Sequence, residues 1–79
     1  MNKERQDKVF RLLTGERYSQ DQKWGTIEEH SHDIAMWILI MERQLDQAKE
    51  SIMKSDAEAV YEIMQATAVG VACLEQWVG

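Results

Sequence analysis

SHDIAMWILIMERQLDQAKESIMK, residues 31–54, is the stretch whose reading decides the fold. Residues 34–41 are apolar without a break, and beyond them the segment turns acidic and amphipathic. Ile34, Ile38, Met41, Leu45, Ala48 and Ile52 recur at alternating spacings of four and three. That is the period of a helix burying one face. Ser31 or Asp33 supplies an N-cap, because either side chain accepts a bond from a free first-turn amide. The predicted helix spans 33–54, with Lys49 and Lys54 suiting its negative C-terminal end. Glu42 and Asp46 lie one turn apart on the flank of the apolar stripe. Such a pair either holds a divalent cation or is plain helix surface, and most of the functional question turns on which.

Downstream, Ser55-Asp56-Ala57-Glu58 reads as a capping box, with Ser at the N-cap and Glu at N3, opening a third helix over 56–77. Ser55 is then nearly the whole connection, so the two helices are expected to form an antiparallel hairpin. Residues whose numbers sum to about 109 should lie level in such a hairpin, each arm being roughly 33 Å long at about 1.5 Å per residue. Asp46 then faces Glu62 and Ile63, and Glu42 lies a short step from Gln65. Upstream, Asn2 caps a first helix over 3–20, in which Gly15 costs about 1 kcal/mol relative to alanine and invites a bend. Lys23-Trp24-Gly25-Thr26 reads as the exit into a polar loop. There is no proline and no strand-like alternation. The fold class is all-α: one domain over 1–79, three helices, a long antiparallel hairpin.

The third helix has little polar face. Val60, Met64, Thr67, Val71 and Leu74 form one stripe, while Ala66, Val69 and Cys73 lie on the opposite side together with Glu62. A helix apolar on two sides must be covered on two sides. The segment 34–41 is apolar around its whole circumference. One short chain does not supply that much cover, so a homo-oligomer is expected, a dimer built on helices two and three.

At 79 residues, folding buries only about 60% of the surface of the unfolded chain. Cys73 is the single cysteine, which excludes an internal disulfide as staple and fits a reducing cytoplasm. It reads as a small hydrophobe. Nine basic against fourteen acidic residues give a formal charge of −5. That argues against a general nucleic-acid binder, which needs a basic stripe. The N-terminus has no apolar signal core, and the apolar run is far short of the roughly 20 residues that span a bilayer. The expectation is a soluble, cytoplasmic protein with neither nucleic-acid nor membrane partners.

Glu42 and Asp46, with Glu62 and Gln65 across the hairpin, make an oxygen-rich set of the kind Mg²⁺ accepts, against the plainer reading of a solvated face. For that site, helix three must turn its Glu62 side towards helix two. His30 and His32 read as loop or cap residues. Trp37 and Trp77 read as core, and Trp24, between a polar run and Gly25, as more open and able to stack on a base. No Gly-rich phosphate loop, CxxC or Ser-His-Asp arrangement occurs.

These residues resemble a family. Glu16-Arg17-Tyr18-Ser19-Gln20-Asp21-Gln22-Lys23-Trp24-Gly25 is similar to the ERxxQxxKWG signature of small MazG-like proteins common in phages and mobile elements. Residues 37–42 resemble the apolar lead-in to the acidic motif of that family. Residues 62–69, with Leu74-Glu75-Gln76-Trp77, resemble its ELxQxAAVAxxWLE helix. The resemblance covers about 16–77. It implies an all-α nucleoside triphosphate pyrophosphohydrolase, working as a dimer or dimer of dimers. Mg²⁺ on Glu42, Asp46, Glu62 and Gln65 would bind phosphates and activate a water that cleaves the α–β linkage. Lys23, Lys49 or Arg17 would add positive charge against the phosphates, and Trp24 would meet the base. The chain departs from the family where EExxE reads Glu42-Arg43-Gln44-Leu45-Asp46, putting a cation in place of the second acid. That substitution implies weakened Mg²⁺ binding. It leaves two expectations: an enzyme of reduced activity, or an inactive MazG-like binding or interaction module.

Overall fold

Each helix starts where a side chain takes up a free amide. Asn2 Oδ1 accepts from the Arg5 amide at 3.0 Å and opens α1, Lys3–Trp24. Asp33 Oδ1 accepts from the Met36 amide at 2.8 Å and opens α2, Ile34–Ser51. Ser55 Oγ accepts from the Glu58 amide at 3.1 Å and opens α3, Asp56–Trp77. These elements come from a computed structural model in which residues 2–79 are described, and no strand occurs among them.

Two boundaries differ from the sequence expectation. Gly15 does not interrupt α1, which runs past residue 20 to Trp24. It stops at Gly25, whose φ of 91° lies in the left-handed region that favours glycine. A Cβ at that position would also stand 2.5 Å from His30 Cδ2. The second helix ends at Ser51, so the connection is a tight turn over 52–55, closed by the Lys54 and Ser55 amides on the Ser51 carbonyl.

The third helix is the centre. Both α1 and α2 pack against it, and among the described residues they do not pack against each other. The Glu62 side of α3 faces α2, with Ala59, Ala66, Val69 and Ala72 buried there; Ala68, on another face of the helix, is fully buried. Alanines let a neighbouring helix approach closely. Across from them α2 presents Trp37, Ile40, Met41, Gln44 and Ala48. Trp37 packs with Val69 and Ala72, flanked by Ile40, Met41 and Cys73.

The inward stripe of α2 is therefore rotated from the expected one. Met41 and Ala48 are shared, but Ile34, Ile38, Leu45 and Ile52 lie exposed. The reason is that 34–41 is apolar all round, so hydrophobic spacing cannot choose the face. Trp37 chooses it by finding a partner for its indole N–H. The stripe Val60–Leu74 of α3 likewise faces outward at Val60, Thr67 and Leu74. Trp77 is half exposed rather than core, because α3 ends there with nothing packed beyond it. Cys73 is partly buried. Among the described residues no helix is long and apolar enough to cross a membrane.

Candidate functional site

Because α1 and α2 meet α3 without meeting each other, the gap between them is an open cleft of about 460 Å³. That is within the usual range of small-molecule sites. Val69 and Ala72 of α3 and Trp37 of α2 give it an apolar floor. One wall is the end of α1, with Arg17, Gln20, Asp21 and Trp24; the other is α2, with Arg43, Gln44 and Gln47; the loop supplies Thr26, His30 and His32.

Two clamps hold these walls, and consecutive residues of α3 provide them. Glu75 receives a bidentate bond from Arg17, Nε to Oε2 and Nη2 to Oε1, both at 2.9 Å. Arg17 also pairs with Asp21 at 2.9 Å and donates to Gln20 Oε1. The hydrogen bond that Arg17 donates to Glu75 is the main cause that raises the Arg17 pKa, against burial, which lowers it. Reciprocally, Arg17 holds the Glu75 carboxyl below its usual range. Gln20 Nε2 then donates to the backbone oxygen of Gln65.

Gln76 fixes the other wall. Its Nε2 donates to the His32 carbonyl at 2.7 Å, and its Oε1 accepts from the His32 amide and from Trp37 Nε1, each at 3.0 Å. His32 stands edge-on to Trp37, ring centroids 4.9 Å apart. Within the loop, Glu29 Oε1 accepts from the Thr26 amide and hydroxyl, which lowers the Glu29 pKa.

The residues expected to form a site are dispersed in this frame. Glu42 is exposed. Asp46 is exposed and pairs with Lys49 at 3.6 Å, a surface pair of little energetic weight. Glu62 turns inward as the metal reading requires, and its Oε2 is buried without a hydrogen-bond partner; Gln44 Oε1 is in the same condition. Gln65 is half-buried, and its backbone receives Gln20. Among the described residues no three His, Cys, Asp or Glu side chains are gathered as a metal-binding group. Lys23 lies over the Trp24 ring at 5.1 Å, and Trp24 is half exposed at the cleft mouth. Arg17, one of the cations offered for phosphate, is engaged by two carboxylates instead. The cation that lines the cleft with no ion-pair partner among the described residues is Arg43.

Sequence reasoning did not find the buried pair Arg17 and Gln20, nor Gln76. Their partners lie 58, 45 and 44 residues away, and a polar residue on a helix reads as surface until its partner is known. No family model, curated protein or solved structure matches the chain.

Proposed function

We propose that this chain is a MazG-like nucleoside triphosphate pyrophosphohydrolase of reduced activity, taking its nucleotide in the cleft between α1 and α2. The observation that carries the reading is the composition of the cleft. A half-exposed indole, Trp24, stands at its mouth, and a cation without a carboxylate partner, Arg43, stands on its wall beside the amides of Gln44 and Gln47. An aromatic face takes a base, and an uncompensated guanidinium with flanking amides takes phosphate oxygens.

The donor set near the α2–α3 seam fits Mg²⁺ in chemistry. Glu62 Oε2 and Gln44 Oε1 are buried acceptors that no N–H reaches, and a hard cation is one thing that satisfies such oxygens. Glu62 and Gln44 would offer the ion their buried oxygens, whereas Glu42 and Asp46, expected with Glu62, lie exposed on α2 and are not gathered there. When bound, Mg²⁺ supplies an acidified water and offsets charge on phosphoryl oxygens. The chain's own residues do the rest: Trp24 orients the base, Arg43 draws the phosphates inward, and the Val69–Ala72 floor limits water. The pairings of Trp37 with Gln76 and Met41 with Gly70 support reading α2 and α3 as an antiparallel hairpin. We place this protein in the cytoplasm as a homo-oligomer, a dimer or dimer of dimers.

One observation favours a second reading, a binding module that does not hydrolyse. Arg43 occupies the position of the second acid and lines the cleft, while Glu42 and Asp46 stay outside its lining. The test joins two measurements. Pyrophosphate release is screened over all ribo- and deoxyribonucleoside triphosphates with Mg²⁺ and with Mn²⁺, and nucleotide binding is measured by calorimetry. Release that Glu62→Ala abolishes supports the enzyme. Binding without release supports the module. Neither binding nor release defeats both. Arg43→Glu should strengthen metal binding if the acidic motif is aligned correctly.

A further inference from the structure

The single chain exposes 6126 Å², whereas a folded monomer of 9.2 kDa should expose about 4,900 Å², an excess of about 1,200 Å². A standard interface takes about 800 Å² from each partner. The excess is not spread evenly. From Lys3 to Thr14, only Gln6 and Leu13 are even half-buried. Val9 is 50% exposed and Phe10 55%. Yet Gln6, Phe10, Leu13, Arg17 and Gln20 follow alternating spacings of four and three and share one face of α1. The second half of that face is the seam on α3. The first half is the same seam continued into solvent.

This free half is also charged opposite to the remainder. Lys3, Arg5, Lys8 and Arg11 against Glu4 and Asp7 give it +2; with −5 for the whole chain, the remainder carries −7. An exposed apolar stripe with acidic neighbours runs along α2 and onto its C-cap, Ile52. Ile38, Leu45 and Ile52 recur every seven residues and are 51%, 46% and 57% exposed; Glu42 and Asp46 stand beside them, with Lys49 3.6 Å from Asp46, so the flank is net acidic by one charge. The outward strip of α3 from 60 to 74 is less suited, because its one carboxylate, Glu62, turns inward.

We infer that the N-terminal half of α1 is a docking arm for a second copy of this chain, seated on the Ile38–Leu45–Ile52 stripe of its α2 and flanked by Glu42 and Asp46. Two copies exchange arms about a twofold axis, so each gives one arm and receives one. Phe10 and Val9 fill the stripe, while Lys8 and Arg11 face the acids. The inference deepens the assembly just proposed and is independent of the nucleotide reading, since association is measured without ligand.

Sedimentation equilibrium of the full chain should show a dimer at tens of micromolar, weakened as salt is raised because the flanking charges are screened. Phe10→Asp and Leu45→Asp should each raise the dissociation constant about tenfold or more. Mixing the two variants should recover dimer, because one intact arm then meets one intact stripe. The reversal Lys8→Glu with Arg11→Glu touches only exposed side chains and should weaken association while circular dichroism keeps its helical signal. A monomeric wild type, a mixture that stays monomeric, or a charge reversal that associates as well as wild type would each overturn the proposal.

Discussion

The two seams on α3 are built from opposite materials. The one with α2 is apolar and close: Trp37, Ala48, Ala59, Ala66, Val69 and Ala72, with Met41 lying over Gly70. The one with α1 is polar on the α1 side, where the two buried residues are Arg17 and Gln20. Dispersion and water release hold the first. Directed bonds hold the second: a bidentate guanidinium–carboxylate pair and an amide on a backbone oxygen. An apolar seam tolerates sliding and sets a core. A bonded seam sets an angle. The cleft needs both, since its floor is the first and its α1 wall is held by the second.

The comparison is broken hardest at Trp37. Trp37→Ala should cost about 4 kcal/mol, through the cavity it leaves against Val69 and Ala72. Trp37→Phe should cost about 1 kcal/mol, since it keeps most of the packing and loses the indole bond to Gln76. Chemical denaturation at one fixed protein concentration checks both, concentration being held because association shifts apparent stability. Equal costs for the two variants would mean that the bond, not the packing, sets the seam.

The bonded seam should respond less and should respond to pH. Arg17→Met keeps the apolar stem and loses the charged bonds, an expected cost of about 2 kcal/mol. Glu75→Gln should cost about 1 kcal/mol or less, because the Glu75 side chain is 42% exposed and water screens its charge. The Glu75 carboxyl has its pKa lowered from 4.5, mainly by the Arg17 bond. A depressed carboxylate stabilises the fold above its unfolded pKa, and that contribution disappears as pH falls through the folded value. Wild type should therefore lose more stability than Glu75→Gln on acidification below about pH 4.5. Parallel acid-unfolding curves would show that the pair contributes nothing net.

The apolar seam was the more legible of the two in sequence, though only in part. Caps at Asn2 and Ser55, and one of Ser31 and Asp33, announce the three helix starts because a short oxygen-bearing side chain there has one obvious task; the structure takes Asp33. The face α2 turns inward is not announced, since Ile34, Ile38 and Ile40 are as apolar as Trp37. The polar seam was silent, because Arg17 and Glu75 are far apart in the chain and each alone resembles surface. The cleft was silent for the same reason, being assembled from three separated segments. Glu42 and Asp46 were visible as a pair, but a pair one turn apart says nothing about which way the helix is rotated. Glu62 is the exception: a site between the two helices requires its inward turn, and the packing of Ala59, Ala66 and Val69 meets that condition.

The smallest expected effects separate a helix in the open from one in a seam, using two glycines of equal intrinsic cost. Gly15 lies mid-α1 with nothing within 4 Å of where a Cβ would stand, so Gly15→Ala should gain up to about 1 kcal/mol, the helix-propensity difference itself. Gly70 lies in α3 with Met41 Cε at 3.1 Å and Sδ at 3.8 Å from that point. Alanine there gains the same propensity, and its methyl displaces the tip of a flexible thioether by a few tenths of an ångström. The two terms oppose, so Gly70→Ala should be nearly neutral, clearly below Gly15→Ala in thermal unfolding at matched concentration. Leucine at position 41 tests the cause. Met41→Leu shortens the side chain, so Gly70→Ala placed in that background should recover part of the missing gain. If it recovers none, Met41 is not what limits the approach of α2 to α3, and the closeness of that seam has to come from the alanines alone.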